Sequence, residues 1–344
     1  MAKKAVTIRD VAREAGVSVT TASRALNGNA LVNSETAARI LKVVEELGFS
    51  PSPAARRLSL GRTLTVGVVV SFLTRPQAAE RIRGIDAVLG DSEFDLVIYN
   101  VESLQKRDHY LATLLNSHRA DGLLIVSLPP PADAIWALAR SPVPIVFIDV
   151  HVDAVAAMPR VVGDDVAGGA IAARHLLELG HRRIGFIGDA ANNPFGFTSS
   201  QHREAAFLRE LSRSGVTVPS RWIGHGAHGR YEARNLAHAM LAGADRPTAV
   251  FAASHTQALG VLAAAHEAGL NVPDDLSVIG YDDVEAADYV GLTTIRQHLF
   301  ESGRRGAEIL LAEIDERTDN TPLVQLRPEL VVRGTTASPQ EGRS

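Results

Sequence analysis

The sequence predicts a small all-α head joined to a larger α/β body made of two doubly wound lobes. Three observations predict it. Between Thr7 and Gly48, apolar residues recur at helical spacing in short segments punctuated by glycines and capping residues. Ser50-Pro51-Ser52-Pro53 then interrupts the chain with a stretch that cannot continue a helix. From Leu64 onward, apolar runs alternate with amphipathic stretches, the pattern of parallel strands covered by helices on both faces. At 344 residues the chain suits two or three compact units rather than one core.

In the head, Ile8, Val11, Ala12 and Ala15 share one helical face. Thr7 followed by Asp10 resembles a capping box with Asp in place of Glu, and Gly16 supplies the positive φ that ends the helix. Ser18 caps a second helix over Val19 to Leu26, with Ala22 and Leu26 turned inward beside Val17; Asn27-Gly28-Asn29 closes it. Asn33 or Ser34 starts a third helix over Glu35 to Leu47, whose stripe is Ile40, Val43, Val44 and Leu47, and Gly48 stops it. Helix, short glycine turn, helix and bracing helix is the helix-turn-helix plan. In that plan the second helix fits the DNA major groove with its N-terminal residues against base edges. The face so presented carries Ser18, Val19, Thr20, Thr21, Ser23 and Arg24. An arginine can fork onto guanine, a threonine can donate or accept, and a valine can touch a thymine methyl, while Ser18 and Ser23 suit phosphates. A plain three-helix bundle with a solvated polar face has the same spacing.

Behind the head, Ser52 can cap and Pro53 can open a helix over Ala54 to Ser59. So short a helix, without a core of its own, is marginal in water and is expected to order only when docked. An ordinary basic linker is the other reading of this stretch. Charge follows the same division. Residues 1–62 carry ten Lys and Arg against five Asp and Glu, a net of +5, which leaves -9 on the rest of a chain whose total is -4. A basic head on an acidic body suggests that the head alone meets a polyanion.

Composition narrows the remaining classes. Hydrophobic content of 46% and charged content of 22% are those of a globular protein. The chain has no cysteine, which removes disulfides, thiol nucleophiles and cysteine metal sites and fits a reducing cytosol. Behind the basic start Lys3-Lys4 there is no apolar h-region, and no apolar run approaches the ~20 residues of a membrane span, so a cytoplasmic protein without a membrane partner is expected. No GxSxG, P-loop or metal triad is recognisable, so neither enzyme chemistry nor a cofactor is expected. His225-x-x-His228, in a Gly-rich loop with no third ligand nearby in sequence, makes a poor zinc site, so no metal is expected either.

In the body, strands are expected at Leu64–Val70, Asp95–Asn100, Gly122–Ser127, Ile145–Ile148, Ile184–Ile187, Ala249–Ala252 and Leu276–Tyr281. Helices are expected near Glu80–Leu89, Lys106–Asn116, Gly169–Leu179, Arg203–Ser212, Glu232–Leu241 and Leu259–Ala268. About 270 residues of this pattern, without a Gly-rich phosphate loop, point to two lobes with a ligand cleft at the carboxyl ends of their strands.

Residues 7–28, TIRDVAREAGVSVTTASRALNG, and 32–63, VNSETAARILKVVEELGFSPSPAARRLSLGRT, resemble the DNA-binding headpiece of the lac repressor (LacI/GalR) family. The body segments DDVAGGAIAARHLLELGHRRIGFIGD and DDLSVIGYDDVEAADYVGLTTIRQ continue the resemblance over roughly residues 6 to 334. It implies an α/β core of the periplasmic-binding-protein fold and a transcription repressor that acts as a homodimer on near-palindromic operator DNA. It places Val19 and Thr20 at the specificity-setting pair, Arg24 at the base-contacting arginine, and Thr7 and Asn27 among further DNA contacts. It places Leu58 as a minor-groove wedge on a hinge helix, with Ala55 one turn earlier and Arg56 and Arg57 toward the flanking phosphates. The implied domains are 1–49 for the headpiece, 50–62 for the hinge and 63–344 for effector binding and dimerisation. Lobe 1 would take about 63–162 and 294–319, and lobe 2 about 163–293 and 320–336, with crossings near Gly163, Leu292 to Arg296, and Thr318 to Leu323. The short polar C-terminus, without leucine heptads, suggests a dimer without a tetramerising tail.

The resemblance carries effector contacts onto Ser71, Asp149, Arg203, Asp282 and Gln297. Carboxylates that accept from hydroxyls, and an arginine fork that bridges ring oxygens or holds a carboxylate, suit a sugar or sugar derivative. The chain departs from the family at Ser254-His255, where Asn-Asp is usual, and at His225, near the place of a pocket aromatic. Both histidines are therefore candidates for an altered effector chemistry, such as an acidic sugar. The competing function is a sugar-binding or sugar-processing protein with an accessory DNA-binding head.

Overall fold

The computed structural model describes residues 6–26, 31–49, 57, 60–116, 119–316 and 323–340. The chain divides between Thr63 and Leu64 into two compact units. In the first, α1 (Ile8–Glu14), α2 (Val19–Leu26) and α3 (Ser34–Leu47) enclose a core of Val11, Ala15, Ala25, Ile40 and Val43. The Asp10 carboxylate accepts from the Thr7 amide at 3.0 Å and from its hydroxyl at 2.7 Å, so the capping box forms with Asp in the glutamate place. Ser18 Oγ accepts from the Thr21 amide at 3.1 Å to start α2, and Asn33 Oδ1 accepts from the Thr36 amide at 2.8 Å to start α3. Gly16 and Gly48 take φ of 66° and 60° at the two stops. One expectation is corrected: Ala25 joins Ala22 on the buried face of α2, and Leu26 is half-buried. The short side chains let α2 pack closely on its neighbours while its polar face stays outside.

The second unit holds two six-stranded sheets. The first contains β1 (Thr65–Ser71), β2 (Asp95–Val101), β3 (Gly122–Val126), β4 (Ile145–Ile148), β5 (Arg160–Gly163) and β11 (Leu323–Leu326) in the order β2-β1-β3-β4-β5-β11, all parallel. The second contains β6 (Ile184–Asp189), β7 (Ile223–Gly226), β8 (Ala249–Ala252), β9 (Ser277–Asp282), β10 (Thr293–Arg296) and β12 (Glu329–Val331) in the order β7-β6-β8-β9-β10-β12, with β12 antiparallel to β10. Lobe 1 carries α4 (Pro76–Leu89), α5 (Leu104–Asn116), α6 (Ile135–Ala139) and α12 (Leu299–Ile314); lobe 2 carries α7 (Asp165–Glu178), α8 (Ser199–Arg213), α9 (Arg230–Leu241), α10 (His255–Glu267) and α11 (Ala286–Tyr289). The central strands are apolar on both faces because helices cover both, as at Val66, Val68, Val69 and Val70 of β1.

The lobe boundaries differ from the sequence expectation at two of the three crossings. Residues 294–296 of β10, expected in lobe 1, pair with β9 in the second sheet, with Thr294 opposite Gly280. Leu323–Leu326, expected in lobe 2, pairs with β5 in the first sheet, with Leu323 opposite Arg160. Strand pairing therefore moves the second crossing to residues 297–298 and the third to 327–328. Each of these strands is only four residues long, too short to declare by periodicity which sheet it joins.

Two close helix contacts set the positions of two buried arginines. A Cβ on Gly303 of α12 would stand 1.9 Å from the carbonyl oxygen of Arg81 on α4, and one on Gly84 would stand 2.0 Å from that of Phe300. In lobe 2, a Cβ on Gly169 of α7 would stand 2.1 Å from the carbonyl oxygen of Arg203 on α8. Glycine at these points lets backbone touch backbone, and so seats each arginine at a fixed depth.

The C-terminal residues 335–337 are tied to lobe 2 by two buried histidines. The His181 ring lies 2.9 Å from the Thr248 hydroxyl and 2.9 Å from the Ala337 carbonyl oxygen, a pair that a neutral imidazole satisfies. Burial holds the pKa of His181, His175 and His255 below the usual value of 6.5. As pH falls below 6.5, the unfolded chain takes these protons before the folded chain does. Their stabilisation is thus complete above 6.5 and is lost toward their depressed folded values. His151 is shifted the other way: its stabilisation is complete below 6.5 and is lost as pH rises toward its raised folded value, so it opposes the other three between 6.5 and 7.5. Urea denaturation at pH 7.5 and 5.5 should show lower stability at 5.5, with a smaller difference for His181→Gln; an unchanged difference would contradict this origin.

Candidate functional site

In the head, Ser18, Val19, Thr20 and Arg24 are exposed along α2, and Thr21 and Ser23 are half-buried. Val19, an apolar side chain left 43% exposed, stands on the face that a groove would cover. The Ser18 and Thr21 hydroxyls lie 2.8 Å apart at the helix start, and the Thr7 hydroxyl is engaged by Asp10. Asn27, Ala55, Arg56 and Leu58 lie outside the described residues.

In the body, both sheets direct the carboxyl ends of their strands at one cleft with about 780 Å³ of atom-free space, part of it continuous with solvent. Ser71, Asp149, Arg203, Ser254, Asp282 and Gln297 all line it. Ser127, Asp149 and Asp282 hold positive φ of 47°, 59° and 86° where β3, β4 and β9 end. Non-glycine residues in this region store about 1–3 kcal/mol each and persist only where the surroundings fix them.

Charge in the cleft is organised around two arginines. Arg203, buried on α8 of lobe 2, donates through Nε to Asp165 at 2.7 Å and through Nη1 to the Ala253 carbonyl oxygen at 2.7 Å. Its guanidinium carbon stands 3.6 Å from the centre of the Tyr281 ring, and Asp282 lies 3.8 Å from Nη1. Burial opposes its charge, but Asp165, Tyr281 and Asp282 outweigh burial and raise its pKa, so it stays a cation. Arg81 in lobe 1 pairs with Asp149 at 2.9 Å and donates to Gln297 Oε1 at 3.2 Å. Gln297 in turn donates to Asp282 at 2.5 Å, which links the lobes through a continuous polar chain. Asp149 also accepts from the Ser127 hydroxyl at 2.8 Å, and Ser71 donates to the Ser127 carbonyl oxygen at 2.7 Å. Burial pushes the Asp149 carboxyl up, yet Arg81 and His151 prevail and hold it below the usual carboxylate range.

Two of the residues expected in the cleft stand elsewhere. His225 does not line it: strand alternation turns its side chain outward, where Nε2 meets Glu204 at 2.8 Å. Three residues on, His228 lines the cleft instead, with Nδ1 3.1 Å from Asp189. His255 is buried beside the cleft rather than lining it, and its backbone amide donates to Asp282 at 3.1 Å. Ser254 lines the cleft and caps α10 by accepting from the Gln257 amide at 3.2 Å. Gln257, not His255, reaches across to Asp189 at 2.9 Å.

The sequence reading did not single out Arg75, Arg81, Ser127, His151, Asp189, Phe197 or His228 as cleft residues, although all line it. A signal for Arg81 was available. It shares a helical face with Ala78 and Ile85, all three buried, so a charge stood on an apolar stripe and required a partner.

Comparison with known proteins identifies the assembly. A family model described as bacterial regulatory proteins, lacI family, matches residues 7–52, and a periplasmic binding protein-like domain matches residues 173–336. The HTH-type transcriptional repressor PurR of Photobacterium profundum is 33% identical over 331 residues, covering 95% of this chain and 97% of that protein. The PurR repressor of Vibrio vulnificus is 32% identical over 332 residues, covering 96% and 98%. Among solved structures, the lac repressor dimer bound to operator and the anti-inducer ONPF aligns with TM-score 0.83 at 27% identity, over 97% of this chain and 100% of that one. The transcriptional regulator CelR in complex with cellobiose aligns with TM-score 0.70 at 27% identity, over 96% and 99%. A regulator from Enterococcus faecium with bound ribose aligns with TM-score 0.69 at 28% identity, over 80% and 100%. The helical head, the paired α/β lobes and these relatives agree that the chain belongs to the lacI family of bacterial regulatory proteins and is a DNA-binding transcription repressor rather than an enzyme.

Proposed function

We propose that this repressor works in the cytoplasm as a homodimer on a near-palindromic operator, and that a sugar or sugar derivative in the cleft sets its affinity for DNA. The observation that carries the reading is the cleft lining, which sets fixed donors beside fixed acceptors on both lobes. Arg81 and Arg203 offer N–H groups, Asp149, Asp189 and Asp282 offer carboxylate oxygens, and Gln297 and the hydroxyls of Ser71 and Ser127 offer both. A ring bearing several hydroxyls presents donors and acceptors in that density. Phe197 at the wall gives its apolar face something to rest on. Solved neighbours carrying cellobiose and ribose support the same class. A ligand that binds one arrangement of the lobes better than another shifts the pair between arrangements, and the linkers ahead of β1 carry that shift to the two heads.

A thermal-shift series on the full chain tests the effector class, with neutral sugars, sugar acids and sugar phosphates set against purine bases. A ligand at 100 times its Kd adds about 2.7 kcal/mol to the stability of the native state. Hits confined to purine bases would replace the sugar reading with a planar heterocycle, and a hit that leaves operator binding unchanged would remove its regulatory role. In the head, Arg24→Ala should relax discrimination at one base pair per half-site by roughly 1–3 kcal/mol. Gel shifts on single-base operator variants measure this. Equal losses on every sequence would make Arg24 a phosphate contact.

A further inference from the structure

We propose that a site for one divalent transition-metal ion, zinc by its donor set, lies between the lobes beside the cleft, bound by His151, which lines the cleft, and by Asp165 and His202, which do not. His151 follows β4 in lobe 1, Asp165 opens α7 in lobe 2, and His202 lies on α8 in lobe 2. One ligand atom from each lies within 4.8 Å of the others. Nε2 of His151 stands 3.4 Å from Oδ2 of Asp165. Around a tetrahedral ion with bonds of about 2.0–2.2 Å, neighbouring donors stand about 3.4 Å apart.

A second observation points the same way. Oδ2 of Asp165 is buried without a hydrogen-bond partner, on a side chain only 3% exposed. The other oxygen of that carboxylate is held by Arg203 at 2.7 Å. Asp149 repeats the pattern: Oδ2 takes Arg81 and Ser127, while Oδ1 is buried without a hydrogen bond, 3.5 Å from His151 Nε2. Nε2 of His151 has no hydrogen bond either. Two carboxylate lone pairs and an imidazole nitrogen thus converge from both lobes on one place, and each carboxylate is aimed from behind by an arginine, as in metal centres with an ordered outer shell. Asp149, Asp165 and Asp282 against Arg81 and Arg203 leave one negative charge, which favours a cation.

The rival occupant is a proton on His151, caught between the two carboxylates. His202 has no part in that arrangement, so it discriminates. The full chain, stripped with EDTA and dialysed, is titrated with Co2+ and read by visible d–d absorption, with Zn2+ as competitor. One ion per chain is expected. His202→Ala should weaken binding about 10- to 100-fold, and Asp165→Asn at least as much. His238→Ala, which removes a surface histidine paired with Glu267, should leave it unchanged. If the tetrahedral bands fail to form, or if His202→Ala binds cobalt as the parent chain does, the site does not exist. A melting temperature of His202→Ala in EDTA equal to that of the parent separates lost coordination from lost folding. The measurement uses neither operator nor sugar, so its outcome stands apart from that of the effector reading.

Discussion

An Arg203→Ala chain is expected to lose about 3–5 kcal/mol of folding free energy, together with its response to effector. Arg203 is the only cation within salt-bridge distance of Asp165 among the described arginines and lysines, and both side chains are under a tenth exposed. Truncation leaves the Asp165 carboxylate buried without its charge partner, leaves the Ala253 carbonyl oxygen without that donor, and removes the cation over the Tyr281 face. The loss therefore exceeds that of a surface pair by several-fold. Urea denaturation of Arg203→Met, Asp165→Asn and the double variant separates the components. Met keeps most of the volume, and Asn removes the stranded charge, so the double variant should lose clearly less than the two single losses added. Effector binding, read by thermal shift with whichever ligand stabilises the parent, should stay weak in the double variant, because the donor fork is gone in both. A loss below about 1 kcal/mol for Arg203→Ala would mean that water or a rotated side chain already compensates Asp165 in the native state.

The sequence made the head legible almost to the residue, because helix ends there are written in short-range chemistry. Asp10 on Thr7, Ser18 under Thr21 and the positive φ of Gly16 and Gly48 are all local contacts. The body was legible where strands are largely apolar, as at Thr65–Ser71 and even the four-residue Ile145–Ile148 and Ala249–Ala252, and lost at the three- and four-residue strands that mix in polar residues or glycine, such as Arg160–Gly163, Ile223–Gly226 and Thr293–Arg296. Leu299–Ile314, a sixteen-residue helix, went unread for a different reason. Its buried face includes Ser302, Gly303, Gly306 and Ala307 beside Leu299 and Leu310, so the periodicity of size that marks a core helix is muted. Small residues there answer to the neighbouring backbone of α4, which local pattern cannot reveal. The same holds for the cleft. Ser71, Asp149, Arg203, Ser254, Asp282 and Gln297 came from resemblance at aligned positions, whereas Arg81, His151 and Asp189 depend on which strands and helices meet. His225 was misplaced because it lies on the four-residue strand β7, whose alternation turns it outward, while His228, just past the strand end, meets Asp189 at the cleft.

Gly303→Ala tests whether that helix contact is as tight as it looks, and its sign is informative. At an exposed helix interior, Gly to Ala stabilises by about 1 kcal/mol, because alanine loses less backbone entropy. Here the added Cβ would stand 1.9 Å from the Arg81 carbonyl oxygen, and that atom is backbone, which cannot swing aside. Helices α4 and α12 must separate, and the overpacking cost of roughly 1–3 kcal/mol overrides the propensity gain. The displaced carbonyl belongs to the residue whose guanidinium holds Asp149 and Gln297, so the shift is delivered to the cleft as well as to the core. Gly84→Ala presses the same interface through the Phe300 carbonyl oxygen at 2.0 Å. The two variants should lose comparable stability in urea, and the double variant should lose less than the added values, since the helices have already parted after the first change. Gly303→Ala should in addition weaken effector binding more than Gly84→Ala does, because it bears on the carbonyl of Arg81 itself. Were Gly303→Ala as stable as the parent chain, the helices would have slack between them, and the depth at which Arg81 enters the cleft would need another explanation.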